Sequence, residues 1–380
     1  MPVVVGKGLR LSGARQMGQQ YEFKLGSEEI PPRPVFPKRA ALEHALPAVI
    51  AADLPHPHNG KPHAVKAEAA LVPRDAVAED AFSLSLAQCR WHIAANIPAV
   101  IEAREIEGVH QMRVGLRRLR VALAAFGEEF RTPVLENLRA RAKIFAQFLA
   151  PARDMDVFVD ELFEPAARAN GALEAFSVLR ERAQEARRGA WEDAVECVSS
   201  RAFMDFVSDL AQAIDGRVWY HSARGRSPTR GLVAFETPAA LLAARMLDHR
   251  FSQAKKRAKR LETLNDAARH RLRIALKKLR YSADFFAPLY DKKKVGKFQS
   301  RLSKMQDVLG ALNDVAVARS TLEHLVAQGG AGPMATEEDL SFAAGIVYGW
   351  HLDRASRSWE DAVRRWKKFA RTEHFWETAQ

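Results

Sequence analysis

His110-Gln-Met-Arg113-Val-Gly-Leu-Arg117-Arg118-Leu-Arg120 and His270-Arg-Leu-Arg273-Ile-Ala-Leu-Lys277-Lys278-Leu-Arg280 carry one pattern twice, at a constant offset of 160 residues and without a gap. The register continues beyond both segments: Phe126 falls on Phe286, Arg141 on Arg301, Leu149 on Leu309, and Arg153-Asp154 on Asn313-Asp314. A unit of this length is too long for a solenoid repeat and suits two similar helical bundles facing one another. At 100° per residue, with His110 as zero, Arg113 lies at about −60°, Arg117 at about −20°, Arg120 at about −80° and Arg118 at about +80°. Met112, Leu116, Leu119, Leu123 and Phe126 occupy the opposite side, as do Leu272, Leu276, Leu279, Ala283 and Phe286 in the second copy. Each helix is therefore expected to be held to a core by its back, with its cations turned away from that core.

The flanking chain supports a helical reading. The first 75 residues hold 10 of the 18 prolines, a density that forbids long helices and central strands, so residues 1–75 read as an irregular or extended arm with one short strand at Tyr21 to Lys24. From Asp75 onward apolar residues recur at spacings of three and four. Helices are expected near 77–103, 108–129, 134–149, 155–168, 172–197, 201–214, 238–263, 267–287, 294–310, 313–328 and 337–370. The fold class is all-α, one domain over 76–370 with halves at about 76–235 and 236–370.

Composition narrows the function. Apolar residues at 47% and charged residues at 27% are those of an ordinary soluble chain, which excludes wholesale disorder and fibrous classes. The balance of 58 Lys+Arg against 46 Asp+Glu leaves +12, pointing to an anionic partner. Most of that excess sits in the two repeated segments, which contain no acid. Cys89 and Cys197 are too few for a disulfide framework or a thiolate zinc site, indicating a reducing compartment. With no apolar leader and no stretch of the roughly 18 residues needed to span a bilayer, the expected location is the cytoplasm.

An ordinary solvated helix face mixes acids in at i and i+4, yet none occurs from Val109 to Gly127 or from Ala267 to Ala283. Like charges left unpaired and then repeated imply a ligand that neutralises them. Arg offers bidentate contacts to phosphate oxygens and Lys a point charge, and Tyr281 is the one aromatic residue near either stripe, so the pattern suits phosphate and is indifferent to bases. The positions three and four after each histidine are Arg and Val or Ile, which leaves no metal-ligand spacing. No phosphate loop, nucleophile elbow or paired acid and base stands out, so no catalytic residue, cofactor or metal is assigned. Asp154, Asp156 and Asp314 are placed at helix starts, as caps or as groups that orient a neighbouring Arg. Lys255-Lys256-Arg257-Ala-Lys259-Arg260 spreads around its helix and reads as solvated, with a minor steering role. Histidines in cationic stripes titrate near ~6.5 or below, and a bound polyanion raises that value, so His110 and His270 are expected to make binding tighter as pH falls.

These residues resemble the CHAD family, the conserved histidine α-helical domain, over about 76–370. The likeness rests on His110-x-x-Arg113-x-x-x-Arg117-Arg118-x-Arg120, its copy from His270 through Arg280-Tyr281, Arg153-Asp154-x-Asp156, and Leu309-Gly310-x-x-Asn313-Asp314. Membership implies two pseudo-symmetric antiparallel four-helix bundles whose basic helices line a central channel that binds inorganic polyphosphate. On that basis His110, Arg113, Arg117, Arg118, Arg120, His270, Arg273, Lys277, Lys278, Arg280 and Tyr281 become ligand residues, with Arg153, Asp154, Asn313 and Asp314 in support. Ala150 stands where its counterpart is Gly310, a departure that touches a turn. Many relatives carry an N-terminal CYTH, or triphosphate tunnel, domain. Gln20-Tyr-Glu22-Phe-Lys24 resembles its E-x-E-x-K opening with Gln for the first Glu, but the arm is too short to form that barrel, which implies a truncated remnant without its catalysis. The expected function is a non-catalytic module that docks on polyphosphate or polyphosphate granules; a phosphate-backbone nucleic-acid binder, or a polyphosphate or triphosphate hydrolase, are the alternatives.

Overall fold

The computed structural model describes residues 62–70, 72–126, 130–171, 173–220, 234–328 and 335–377. The strand expected at Tyr21 to Lys24 and the tunnel-domain remnant lie outside them. The described chain is helical, in the order α1 (Ala78–Ala95), α2 (Ile97–Ile101), α3 (Ile106–Ala125), α4 (Pro133–Phe148), α5 (Ala150–Val157), a π-helical turn (Phe158–Phe163), α6 (Glu164–Ala169), α7 (Glu174–Ser199), α8 (Arg201–Asp215), α9 (Ala239–Arg257), α10 (Asp266–Phe286), α11 (Lys292–Ala327) and α12 (Glu337–Phe369). Among the described residues there is no strand, only an isolated bridge between Val77 and Pro238, and no helix is long and apolar enough to cross a membrane.

The repeated segments form α3 and α10, whose first residues stand 160 apart. Met112, Leu116 and Leu119 are fully buried, as are Leu272, Leu276 and Leu279, and each such side chain contributes about 1.5–3 kcal/mol to folding. In the first half α3 packs on α1 and α4, with α8 closing against α1 and α4; in the second, α10 packs on α9 and α11, and α11 on α12. The halves meet through α3 against α10, α1 against α9, and α11 and α12 against α7 and the π-helical turn. The approach of α3 to α1 is close: a Cβ added at Gly115 would come within 2.8 Å of Ile93 Cγ1 and 3.3 Å of His92 Nδ1. Each half has its own aromatic cluster, Phe82, Phe126, Phe130 and Trp219 in one and Phe251, Phe298, Phe369 and Trp376 in the other, joined by Phe126 against Phe286 at 5.5 Å. Cys89 and Cys197 are buried free thiols, and burial pushes both up to about 12.

Three sequence expectations need correction. Residues 294–310 and 313–328 form one helix, because a single interior glycine at Gly310 costs about 1 kcal/mol and does not break a helix of this length. The helix expected from 155 starts at Ala150, with Pro151 in its first turn, where a missing N–H costs nothing. Part of the arm also belongs to the domain. Residues 62–70 run extended over α1 and α3: Ala64 N–H donates to Glu105, Val65 N–H donates to Asn96 Oδ1, and Asn96 Nδ2 donates back to the Val65 carbonyl. Ala70, Val72 and Ala76 are then buried in the core.

Candidate anion-binding cleft

Residues at or close to repeat-related positions meet one another where the halves pack. Phe126 touches Phe286, and Val77 pairs with Pro238 while Ala78 N–H donates to the Thr237 carbonyl and Ala239 N–H donates to the Ala76 carbonyl, both at 2.8 Å. Such reciprocal contacts are those of a self-complementary interface about a local two-fold axis. The consequence for a basic helix is specific: a cationic stripe placed on that axis faces its own copy. His270 and Arg280 are exposed, while Arg113 and Arg117 of α3 and Arg273 and Lys277 of α10 are half-buried at the seam between the halves.

Arg113, Arg117, Arg273 and Lys277 converge there, joined by Arg153 from α5. Two carboxylates accompany these five cations, Asp154 and Asp314, which also feel each other. Burial and the like charges of Arg117 and Arg273 hold the Lys277 ammonium down to about 6, partly offset by Asp314. Burial likewise lowers Arg113, to about 10, and lowers Arg273. For Asp154 and Asp314 the cost of burial outweighs the neighbouring guanidinium groups, and both carboxyls sit above their usual range. Burial disfavours the charged form of each of these basic groups in the half-buried cleft, and an incoming anion favours it.

The cationic groups are braced from behind. Arg113 Nη1 donates to the Ala146 carbonyl at 2.6 Å, and Arg117 Nη1 reaches the Tyr281 hydroxyl of the other half at 3.5 Å. His270 Nδ1 lies 3.0 Å from Asn313 Oδ1, and Arg153 Nη2 pairs with Glu161 at 3.3 Å. His110 is partly buried, and burial, then Arg153, lower its pKa. Asp314 lies in the interior of α11 and Asp154 in α5, so neither caps a helix start; they serve as counter-ions to the stripe. Asp156 has a structural role, accepting from Arg187 Nε at 2.8 Å and Trp191 Nε1 at 3.0 Å.

Not every expected ligand residue reaches this cleft. Arg118 is only 3% exposed, donates to the Glu68 carbonyl at 3.0 Å and stacks over Phe285, because at +80° it points beneath the extended 62–70 segment. Arg280 turns toward α11, where its Nη1 donates to Gln306 Oε1 at 3.1 Å. Arg120 and Lys278 lie on a flank, beside Arg139, Arg250 and Arg257, three cations that periodicity around the repeated motif does not reveal because they come from α4 and α9. Of the cationic run after Phe251, Arg257 is therefore within electrostatic reach of Lys278.

An all-helical chain of two halves with basic helices packed against each other where they meet defines a class of helical domain. The chain belongs to the CHAD domain family, whose pattern it matches over residues 84–323. It is similar to the crystal structure of the CHAD domain from the plant Ricinus communis, with 27% identity and a TM-score of 0.67, covering 82% of this chain and 98% of that one. It also shares its fold with PptA from Streptomyces chartreusis, at 16% identity and a TM-score of 0.56, covering 76% and 99% respectively. No curated protein sequence matches it significantly.

Proposed function

We propose that this protein binds inorganic polyphosphate in the cleft between α3 and α10 without hydrolysing it, and that it docks through that cleft on polyphosphate or polyphosphate-rich granules. The observation that carries this reading is the meeting of the basic groups Arg113, Arg117, Arg153, Arg273 and Lys277, which among the described residues face Asp154, Asp314 and, at Arg153, Glu161. A linear polyanion satisfies a row of cations from two helices at once, and guanidinium groups offer paired donors to its oxygens. Each cleft carboxylate already faces arginines, so neither serves as a free general base in this reading. Tyr281 is tied to Arg117 rather than offered as a stacking platform, which favours polyphosphate over single-stranded nucleic acid.

The test is competition at fixed salt: long-chain polyphosphate should displace labelled single-stranded DNA or RNA, and the nucleic acids should not displace polyphosphate at equal phosphate concentration. The reverse order would favour a nucleic-acid role. Incubation with Mg²⁺ and either polyphosphate or tripolyphosphate should release no orthophosphate; stoichiometric turnover would assign an enzyme instead.

A further inference from the structure

The two flanks of the central cleft are not alike, and repeat-related positions allow a direct comparison. On one flank stand Arg118 and Arg280 with Asp284, whose carboxylate accepts from Gln299 Nε2 at 2.8 Å and lies in the field of both arginines. The 62–70 segment closes over Arg118 on the same side. On the other flank the corresponding residues are Lys278 and Arg120, with Ala124 in the place of Asp284 and Arg139 in the place of Gln299. A carboxylate and a neutral amide are replaced by a methyl group and a guanidinium.

The result is a cationic cluster drawn from four helices that pack in succession, α4 on α3, α3 on α10 and α10 on α9: Arg120 of α3, Arg139 of α4, Arg250 of α9 and Lys278 of α10, all at least partly exposed. Burial, then Arg250, Arg257, Arg139 and Arg120, disfavour the charged form of Lys278. Arg120 is lowered by burial and by Arg139 and Arg117, and Arg250 by burial and Arg139. Among the described residues no carboxylate is set against Arg120 or Arg250; the acid in contact with the cluster is Glu136, shared between Arg139 at 3.2 Å and Arg131 at 3.6 Å. Arg117 links this cluster to the cleft, since both Lys277 and Arg120 lie in its field. Four helices that converge on four basic groups with one carboxylate, Glu136, among them repel one another in the free protein, and an anion bound there relieves that repulsion.

We propose that Arg120, Arg139, Arg250 and Lys278 form a second phosphate subsite that receives the continuation of a chain already seated in the central cleft. This rests on the polyphosphate reading above and adds two features to it: the protein selects long chains over short ones, and the bound chain leaves the cleft by one flank, since Asp284 and the 62–70 segment close the other.

The experiment is calorimetric titration of the full chain with tripolyphosphate and with long-chain polyphosphate. Arg139→Gln with Arg250→Gln should weaken long-chain binding about tenfold or more while tripolyphosphate affinity stays within twofold of wild type. Ala124→Asp, which installs the carboxylate of the closed flank, should produce the same length-dependent loss through a single surface-directed change. A charge-matched control, Arg319→Gln with Arg357→Gln, removes two cations that pair with acids on α11 and α12 and should leave both affinities unchanged. Retained tripolyphosphate binding reports that each variant is folded. Unchanged long-chain affinity in the Arg139/Arg250 variant, or equal losses for both ligands, overturns the second subsite alone; a wild-type protein that binds neither ligand overturns the polyphosphate reading together with it.

Discussion

Lys277 is the group through which pH should control this protein, and its substitution by methionine tests that. Its ammonium faces Arg113 and Arg117 from α3, Arg273 from its own helix and Asp314 from α11, and burial with these cations holds it at about 6 against 10.5 for an ordinary lysine. A lysine depressed in the folded state is protonated in the unfolded chain and neutral in the folded one between those two values. The unfolded chain then binds more protons, and stability rises with pH across that window. At pH 7.5 the cost of discharging the lysine on folding reaches about 4 kcal/mol, since each pH unit below 10.5 is worth about 1.4 kcal/mol. Lys277→Met removes that cost while keeping the stem. Urea unfolding should therefore find the variant more stable by up to about 4 kcal/mol at pH 7.5, with the greatest advantage below pH 6 and the gain fading as pH rises toward 10.5. Binding runs the other way: an anion in the cleft favours the charged lysine, so above about pH 6 the wild type takes up a proton on binding, and its affinity falls by as much as tenfold per unit of rising pH. The variant should lose most of this slope and bind more weakly at pH 6. A variant no more stable than wild type at pH 7.5, with an unchanged slope of affinity against pH, would refute the reasoning and return pH control to His110.

Three further outcomes follow from the packing. Asp154→Asn removes a carboxylate whose charged form burial disfavours more than Arg113 and Arg153 favour it, so urea stability at pH 7.5 should be unchanged or raised and tripolyphosphate should bind more tightly; a loss of several kcal/mol would mean that pairing with the arginines outweighs burial. Arg118→Ala should cost about 2 kcal/mol in thermal unfolding, through the lost bond to the Glu68 carbonyl and the lost contact with Phe285, while tripolyphosphate affinity stays within twofold; a large loss of affinity would place Arg118 in the site after all. Gly115→Ala should destabilise by about 1–3 kcal/mol in urea despite alanine's helix preference, because its methyl group meets Ile93 at 2.8 Å; a neutral result would mean α1 and α3 separate without penalty.

The helices and the membership of the cationic stripe were legible because both are periodic. Met112, Leu116 and Leu119 recur on one face and Arg113 and Arg117 on another, and the second copy repeats both phases, so core and cation positions separate on inspection. What the stripe faces was not legible. Periodicity gives the direction of a side chain relative to its own helix, and only the packing of the halves turns part of an outward stripe into a half-buried seam, with Lys277 rather than a histidine as its most perturbed base. Arg118 shows the same limit in reverse: its phase beside the stripe gave no sign that residues 62–70 would cover it, since that segment has no periodic pattern and is held by Glu105, Asn96 and Arg118 themselves. Glycine lowers helix propensity, which makes Gly310 resemble a turn in the sequence, yet packing along α11 outweighs a single such residue. Arg139 and Arg250 carry no sequence signal, because each is a single arginine on its helix, brought to Lys278 by tertiary structure alone.

The central claim is that polyphosphate occupies the seam where α3 and α10 oppose their cations. Its most direct test is titration of polyphosphate into Arg117→Glu with Lys277→Glu, one reversal from each half, beside wild type at the same pH and salt and with far-UV circular dichroism of both. The account predicts high-affinity binding by wild type and none by the variant, at equal helical content. A well-folded double variant that binds polyphosphate as tightly as wild type would contradict it.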